Sequence, residues 1–135
     1  MDINDKTIDA LRASLNFRQM RQKIIASNVA NAETPSYKAK KVDFEQALQR
    51  ALNLDEKQTL NVEDGRHYDV GGGGFDNLTP EIYEASDGVV KENGNTVDKE
   101  AEMAEMLDNN ILYNASVQLL NKKLGLLKYA IAADK

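Results

Sequence analysis

From Met103 to Ile131 the chain steps by three and four residues without a slip: Met103, Met106, Asn110, Tyr113, Val117, Leu120, Leu124, Leu127 and Ile131. Such spacing keeps side chains on one face of an α-helix. Sustained over four heptads, it predicts a helix from about Asp98 to Ala132 whose seam packs as in a coiled coil. Asn110 is the one polar member of the seam, and a lone buried Asn there fixes register at some cost in stability. Asp98 suits the N-cap, Glu100 and Glu102 the first turn, and Lys122, Lys123 and Lys128 the far end, so the charges match the helix dipole. Gly125 should weaken the helix by about 1 kcal/mol against Ala. It would also let another helix cross closely.

A second helical pattern runs from about Asn4 to Asn31. Its apolar residues are Ile8, Leu11 and Leu15, then Phe17, Met20, Ile24, Ile25 and Val29. The stripe changes face midway, because continuing the first register lands on Arg18 and Gln22. Asn4 or Asp5 is expected to cap the start. Pro35 denies helical geometry to Thr34 and closes the element. After it comes an extended, aromatic and basic stretch, "SYKAKKVDF".

Between the two helices the character changes. "DFEQALQRALNL" fits a short helix over 43–53, with Phe44, Leu48 and Leu52 on one face. Beyond it, Gly, Asn and Asp dominate, and "YDV", "EIYEA" and "GVVKE" are the strand candidates. The reading is therefore three segments: 1–34, an N-terminal helix; 35–97, a connector and loop-rich insert; and 98–135, a C-terminal coiled-coil helix. The fold class is mainly α, an elongated antiparallel pair of long terminal helices around a loop and short-strand insert.

Length sharpens this. A 35-residue helix is about 52 Å long, whereas a compact domain of 135 residues has a radius of gyration near 14 Å. The first helix, about 40 Å long, covers only part of the second. Leu107, Leu112, Leu119 and Leu126 add apolar surface beside the seam, so the pattern calls for other chains and an isolated copy is expected to be marginally stable.

Composition excludes several functions. A net charge of −5 with scattered basic residues argues against nucleic acid as the main partner. Without cysteine there is no disulfide framework and no thiolate metal site. No apolar run approaches a bilayer span, and the amino terminus lacks the basic and apolar regions of a cleavable secretory signal. His67 sits alone in a loop. "GGGG" at Gly71 to Gly74 lacks the Lys-Ser/Thr ending of a phosphate loop and reads as a linker. Glu100, Glu102 and Glu105 lack matching ligands on a second helix, so a solvated face is expected rather than a metal site. Ser14, Ser27 and Ser116 have no base partner. No catalytic, cofactor-binding or metal site is read, and no small-molecule substrate.

"ASNVANAETPSYKAKKVDF" resembles the N-terminal signature of the bacterial flagellar axial proteins, of the form A-S-N-[IV]-A-N-A-x-T-P-G-Y-K. Asn28, Ala30, Asn31, Ala32, Thr34, Pro35, Tyr37 and Lys38 fall in place. "GNTVDKEAEMAEMLDNNILYNASVQLLNKKLGLLKYAI" is similar to the last helix of the proximal-rod branch of the basal-body rod family. Ser36 stands where the family usually has Gly, which favours a turn with ordinary backbone angles. Glu33 stands where Asn or Asp is common.

The resemblance implies a non-enzymatic structural subunit of the rod, exported without a cleaved signal peptide to the periplasmic part of the basal body. Its implied partners are itself, FlgC-type rod subunits, a FliE-type adaptor, the membrane ring and the export gate. Asn28, Asn31, Thr34, Pro35, Tyr37, Lys38 and Phe44 are the candidate assembly motif. Asn28 and Asn31 would satisfy helix-end carbonyls, and Tyr37, Lys38 and Phe44 would lie against a neighbour. The candidate packing seam is Leu11, Leu15 and Ile24 with the row from Met103 to Ile131. A soluble adaptor or export chaperone that binds partner helices is the alternative.

Overall fold

The computed structural model describes residues 2–51, 78, 80–85 and 89–133. Helix α1 (Asp2–Ala30) leads into strand β1 (Lys40–Asp43), helix α2 (45–51), strand β2 (Glu81–Glu84) and the long helix α3 (Lys99–Ala133). The strands pair antiparallel, with Lys40 opposite Glu84 and Val42 opposite Ile82. The mainly α architecture is as expected: the two terminal helices pack together, with a short strand pair between them. "EIYEA" supplies β2, whereas the described residues 89–92 of "GVVKE" form no strand. Its Lys91 instead opens a turn closed by Lys91 N to Asn95 O (2.9 Å) and Gly94 N to Lys91 O (2.9 Å). "YDV", His67, Leu52 and the four-glycine run lie outside the described residues.

Capping explains where the helices begin. Asp98 accepts from Ala101 N at 3.2 Å, so it caps α3 as expected. Asp43 does the same for α2 through Gln46 N (3.3 Å). Helix α1 starts two residues before Asn4, which places Asn4 and Asp5 inside it rather than at its cap. No atom lies within 4 Å of where a Cβ on Gly125 would stand, so no helix of the described chain crosses there.

The change of face along α1 has a physical reason: two different elements pack on it. Toward α3, Asn109 Nδ2 donates to Arg18 O (2.8 Å) and Gln22 Oε1 (3.1 Å), and Gln19 Nε2 donates to Tyr113 OH (3.1 Å). Toward β1 and α2, Phe17 and Ile25 are buried with Val42, Phe44, Ala47 and Ala51. Phe44, at 1% exposure, stacks on Phe17 with centroids 5.4 Å apart and planes 9° apart. The guanidinium of Arg21 lies 4.4 Å from the Phe44 ring centre, and that of Arg18 lies 5.3 Å away. Arg21 is held there by a two-point contact to Glu45 (2.8 and 2.9 Å) and by Val42 O (2.9 Å). Burial works against ionisation of Glu45, but the hydrogen bonds from Arg21, backbone hydrogen bonds at Glu45 and Phe44 and the charge of Arg21 together outweigh it and hold the carboxyl below its ordinary range.

The α1–α3 interface corrects the phase of the seam. The row facing α1 is Glu102, Met106, Asn109, Tyr113, Ser116, Leu120, Lys123 and Leu127, stepping four then three. The sequence row steps three then four, and the two share Met106, Tyr113, Leu120 and Leu127. Val117 stays half-buried at the flank. Met103, Asn110 and Leu124 are exposed. Asn109, at 3% exposure, is the buried Asn in place of Asn110. It wins because only that position meets the Arg18 carbonyl. Ile131 is exposed for another reason: counting outward from the Tyr113–Gln19 contact carries it past Asp2, the first residue of α1. On α1, Leu11, Leu15 and Ile24 are half-buried.

The Phe44 side chain anchors the connector to α1. Replacing Phe44 with Ala should cost about 3–5 kcal/mol, the usual range for a buried aromatic truncation. Urea denaturation of the two proteins measures it, and a loss below about 1 kcal/mol would show that the stack with Phe17 contributes little.

Candidate functional site: an asparagine knot and an exposed helix face

Residues 27–40, within the first signature stretch, and 91–98, which run into the second, are far apart in the chain and meet in space. Helix α1 ends in a succession of turns: Asn31 N bonds Ser27 O (3.0 Å), Ala32 N bonds Val29 O (3.2 Å) and Thr34 N bonds Asn31 O (3.0 Å). Then Tyr37 N returns to Thr34 O (3.3 Å), with Pro35 and Ser36 in the middle of the turn. Ser36 has φ of 62°, so this is a left-handed position with Pro before it, as in a type II turn. The expectation of ordinary backbone angles at Ser36 is therefore overturned. The turn type is set by Pro35 and by the bond from Ser36 N to Asn93 O (2.9 Å), and Ser takes the strain that Gly would avoid.

Asn28 sits at the centre with no exposed surface. Its Oδ1 accepts from Lys40 N (3.0 Å) and Tyr37 OH (3.1 Å), and its Nδ2 donates to Lys40 O (2.8 Å). The amide thus pairs with the strand as a peptide group would. It does not bond the carbonyls at the end of α1, as the sequence suggested. Asn31 does, through Nδ2 to Ser27 O (2.8 Å), and its Oδ1 accepts from Thr34 Oγ1 (3.2 Å).

Asn95, also without exposed surface, ties in the second segment. Its Nδ2 donates to Asn31 O and Thr34 O, both at 2.8 Å, and its Oδ1 accepts from Val97 N (2.8 Å). Thr96 completes the join: its Oγ1 accepts from Ala39 N (2.8 Å), and its own N–H donates to Tyr37 O (3.1 Å). Lys91 Nζ reaches Ala32 O (3.1 Å), and Lys38 Nζ reaches Gly94 O (3.1 Å). A small apolar cluster of Ala32, Ala39, Val97 and Tyr37 fills the middle.

These contacts redefine the predicted motif. Asn28, Asn31, Thr34, Tyr37 and Lys38 are brought together by bonds within the chain. Pro35 is exposed. Phe44 lies apart and is consumed by the Phe17 stack, so it is not free to meet a neighbour. Asn95 and Arg21 were not among the site residues picked out by sequence reasoning, although the repeated Asn of "ENGNT" was a signal for the first.

Glu102 departs most from expectation. It belongs to the carboxylate row read as solvated, yet only 5% of it is exposed and its Oε2 has no hydrogen-bond partner. Burial raises its pKa above the ordinary carboxylate range. A hydrogen bond from Asn28 and the charge of Lys41 pull the other way, and the neighbouring Glu105 and Asp98 add to the rise. Lys41 also forms an ion pair with Glu105 at 3.5 Å. The rim beside it, lined by Arg18, Arg21, Ile24, Tyr83 and Asp108, opens as a cleft of about 290 Å³.

The other feature is the outer surface of α3. Leu112, Leu119 and Leu126 recur every seven residues and are 47, 55 and 59% exposed. Met103, Leu107 and Ile111 are exposed as well. Among the described residues no group of acidic or histidine side chains is placed to hold a metal ion, and no helix is long and apolar enough to cross a membrane.

The family described as Flagella basal body rod protein matches residues 8–38. The chain is 35% identical over 136 residues to the flagellar basal body rod protein FlgB of Bacillus subtilis (strain 168), covering 100% of both. It is 33% identical to FlgB of Cereibacter sphaeroides (strain ATCC 17023), covering 90% of each. It is 31% identical to FlgB of Escherichia coli (strain K12), covering 89% of this chain and 91% of that protein.

Two measurements check the site. Ser36→Gly removes left-handed strain worth about 1 kcal/mol and should raise the melting temperature by a few degrees; a fall would show that the Ser36 hydroxyl matters more than the backbone. For Glu102, a raised folded-state pKa means that its favourable contribution is present below the unfolded value of about 4.3 and is lost as pH rises through the folded value. Glu102→Gln should therefore stabilise the protein by about 1 kcal/mol at neutral pH, the gain shrinking as pH falls toward 4. A pH-independent difference between the two proteins would refute the burial argument.

Proposed function

This chain belongs to the flagellar basal body rod protein family, and on that premise we propose that it is a subunit of the proximal rod that polymerises through its terminal helices. In that place it passes torque from the membrane ring toward the distal rod and hook. Its work is mechanical rather than catalytic. Its neighbours are further copies, FlgC-type rod subunits and a FliE-type adaptor, and it reaches the rod through the flagellar export gate.

The observation that carries this reading is the exposed apolar row on α3. The chain turns polar residues of α3, Glu102, Asn109, Ser116 and Lys123, toward its own α1, and leaves Leu112, Leu119 and Leu126 outside. An apolar surface of this extent on a helix marks a protein interface, and seven-residue spacing suits another helix. The asparagine knot supports the same reading. It fixes the direction in which the chain leaves α1 and enters α3 by hydrogen bonds rather than by a large core. A torque-bearing element needs such fixed geometry.

Replacing Leu112, Leu119 and Leu126 together with Ser should leave the fold nearly intact, since exposed substitutions usually change stability by less than about 0.5 kcal/mol each. The variant should nonetheless be missing from purified basal bodies, and cells carrying it should not swim. Normal incorporation and swimming would refute the assignment of this face.

A further inference from the structure

Asn93–Gly94 is the one Asn-Gly pair in the chain. We propose that it is a modification site, open to deamidation in the unfolded chain and withheld from it by the closed knot. The proposal does not depend on the assembly reading above. In the reaction the Gly94 backbone nitrogen attacks Cγ of Asn93. The Cγ–Nδ2 bond breaks, and ammonia leaves with the proton from Gly94. The resulting succinimide takes up one water at either carbonyl and opens to aspartate or isoaspartate at position 93. A following Gly favours the attack because it has no side chain to obstruct the approach and moves freely in φ.

Four polar atoms around that centre are engaged in the fold. The attacking nitrogen donates its hydrogen to Lys91 O at 2.9 Å. Asn93 Oδ1 accepts from Asn95 N at 3.1 Å, which holds the side chain, and Asn93 O accepts from Ser36 N at 2.9 Å. Gly94 O accepts from Lys38 Nζ at 3.1 Å. Gly94 itself is held at φ of 82°, a conformation that side chains rarely adopt, and lies against Ser36, with an added Cβ standing 3.4 Å from Ser36 Cα. The ring can close only when these bonds open together, so the folded chain reacts at a rate scaled by the population of that opened state. The product matters to the fold. Isoaspartate inserts an extra backbone methylene between anchors on Ser36 and Asn95, so a converted chain cannot close the knot.

The test holds the full chain near neutral pH, in native buffer and in guanidinium, and follows the tryptic peptide Glu92–Lys99 by mass spectrometry. A one-dalton gain at Asn93 should accumulate at least about tenfold faster in denaturant, which corresponds to about 1.4 kcal/mol of opening free energy. In native buffer Asn95→Ser, which unties the knot from Asn31 and Thr34, should convert faster than the parent chain. Rates within about twofold of each other in the two solvents, or conversion at Asn95 instead of Asn93, would overturn the proposal.

Discussion

The fold turns on one buried amide. Asn28 sits in the last turn of α1, donates one hydrogen bond to the connector and accepts two from it, and a fourth interaction runs to Glu102 in the first turn of α3. An unpaired amide in that position would be costly. Once paired on all sides, it joins three elements at fixed distances. Hydrophobic contact alone cannot do this, because the local apolar residues are mostly small: Ala32, Ala39 and Val97. Directional bonds replace bulk. Asn95 repeats the device from the other segment, holding the two carbonyls that α1 leaves behind. Satisfied polar networks of this kind specify a unique arrangement.

This division of labour shapes the rest of the molecule. The chain holds its own bend with amides, a strained Ser36 and the Arg21–Glu45 clamp over Phe44. Much of its long aliphatic side-chain surface on α3 then remains outside. An isolated domain would normally reverse that arrangement, burying Leu and exposing Glu and Asn. Here the buried members of the α3 row include Glu102 and Asn109, both carrying an oxygen without a partner. Those orphans weaken the intramolecular seam. A seam of this kind beside an exposed apolar face leaves room for contacts between chains, and any partner that bound there would add stability by mass action.

How much of this was legible in the sequence depends on which force set each feature. The two long helices were, because periodicity reports a helix face directly. The N-cap at Asp98 was as well, being local chemistry. The phase of the seam was not. Met106 and Tyr113 satisfy both alternations, and hydrophobicity chose Asn110 and Met103 where the Arg18 carbonyl and the connector chose Asn109 and Glu102. Ser36 misled for a related reason: a propensity argument weighs one residue, whereas Pro35 and the Asn93 carbonyl dictated its backbone from outside. Phe44 was read as an adhesive surface residue because its partner, Phe17, lies on the other side of a helix end whose direction no local pattern reveals. Strand β1 was seen only as extended. Its pairing with Glu81–Glu84 is a non-local fact.

Glu102 shows why the misses and the function coincide. A carboxylate in the first turn of a helix is ordinarily favourable, since it faces the positive end of the dipole and water. Here the same position lies under the connector, because Asn28 draws Lys40 and β1 across the start of α3. Burial then raises the pKa of the carboxyl and leaves one oxygen unpaired. Local rules fail where two distant signature segments impose a geometry that neither would adopt alone. Accepting an uncomfortable Glu102 is consistent with a chain selected for the angle between its connector and α3 rather than for its own stability.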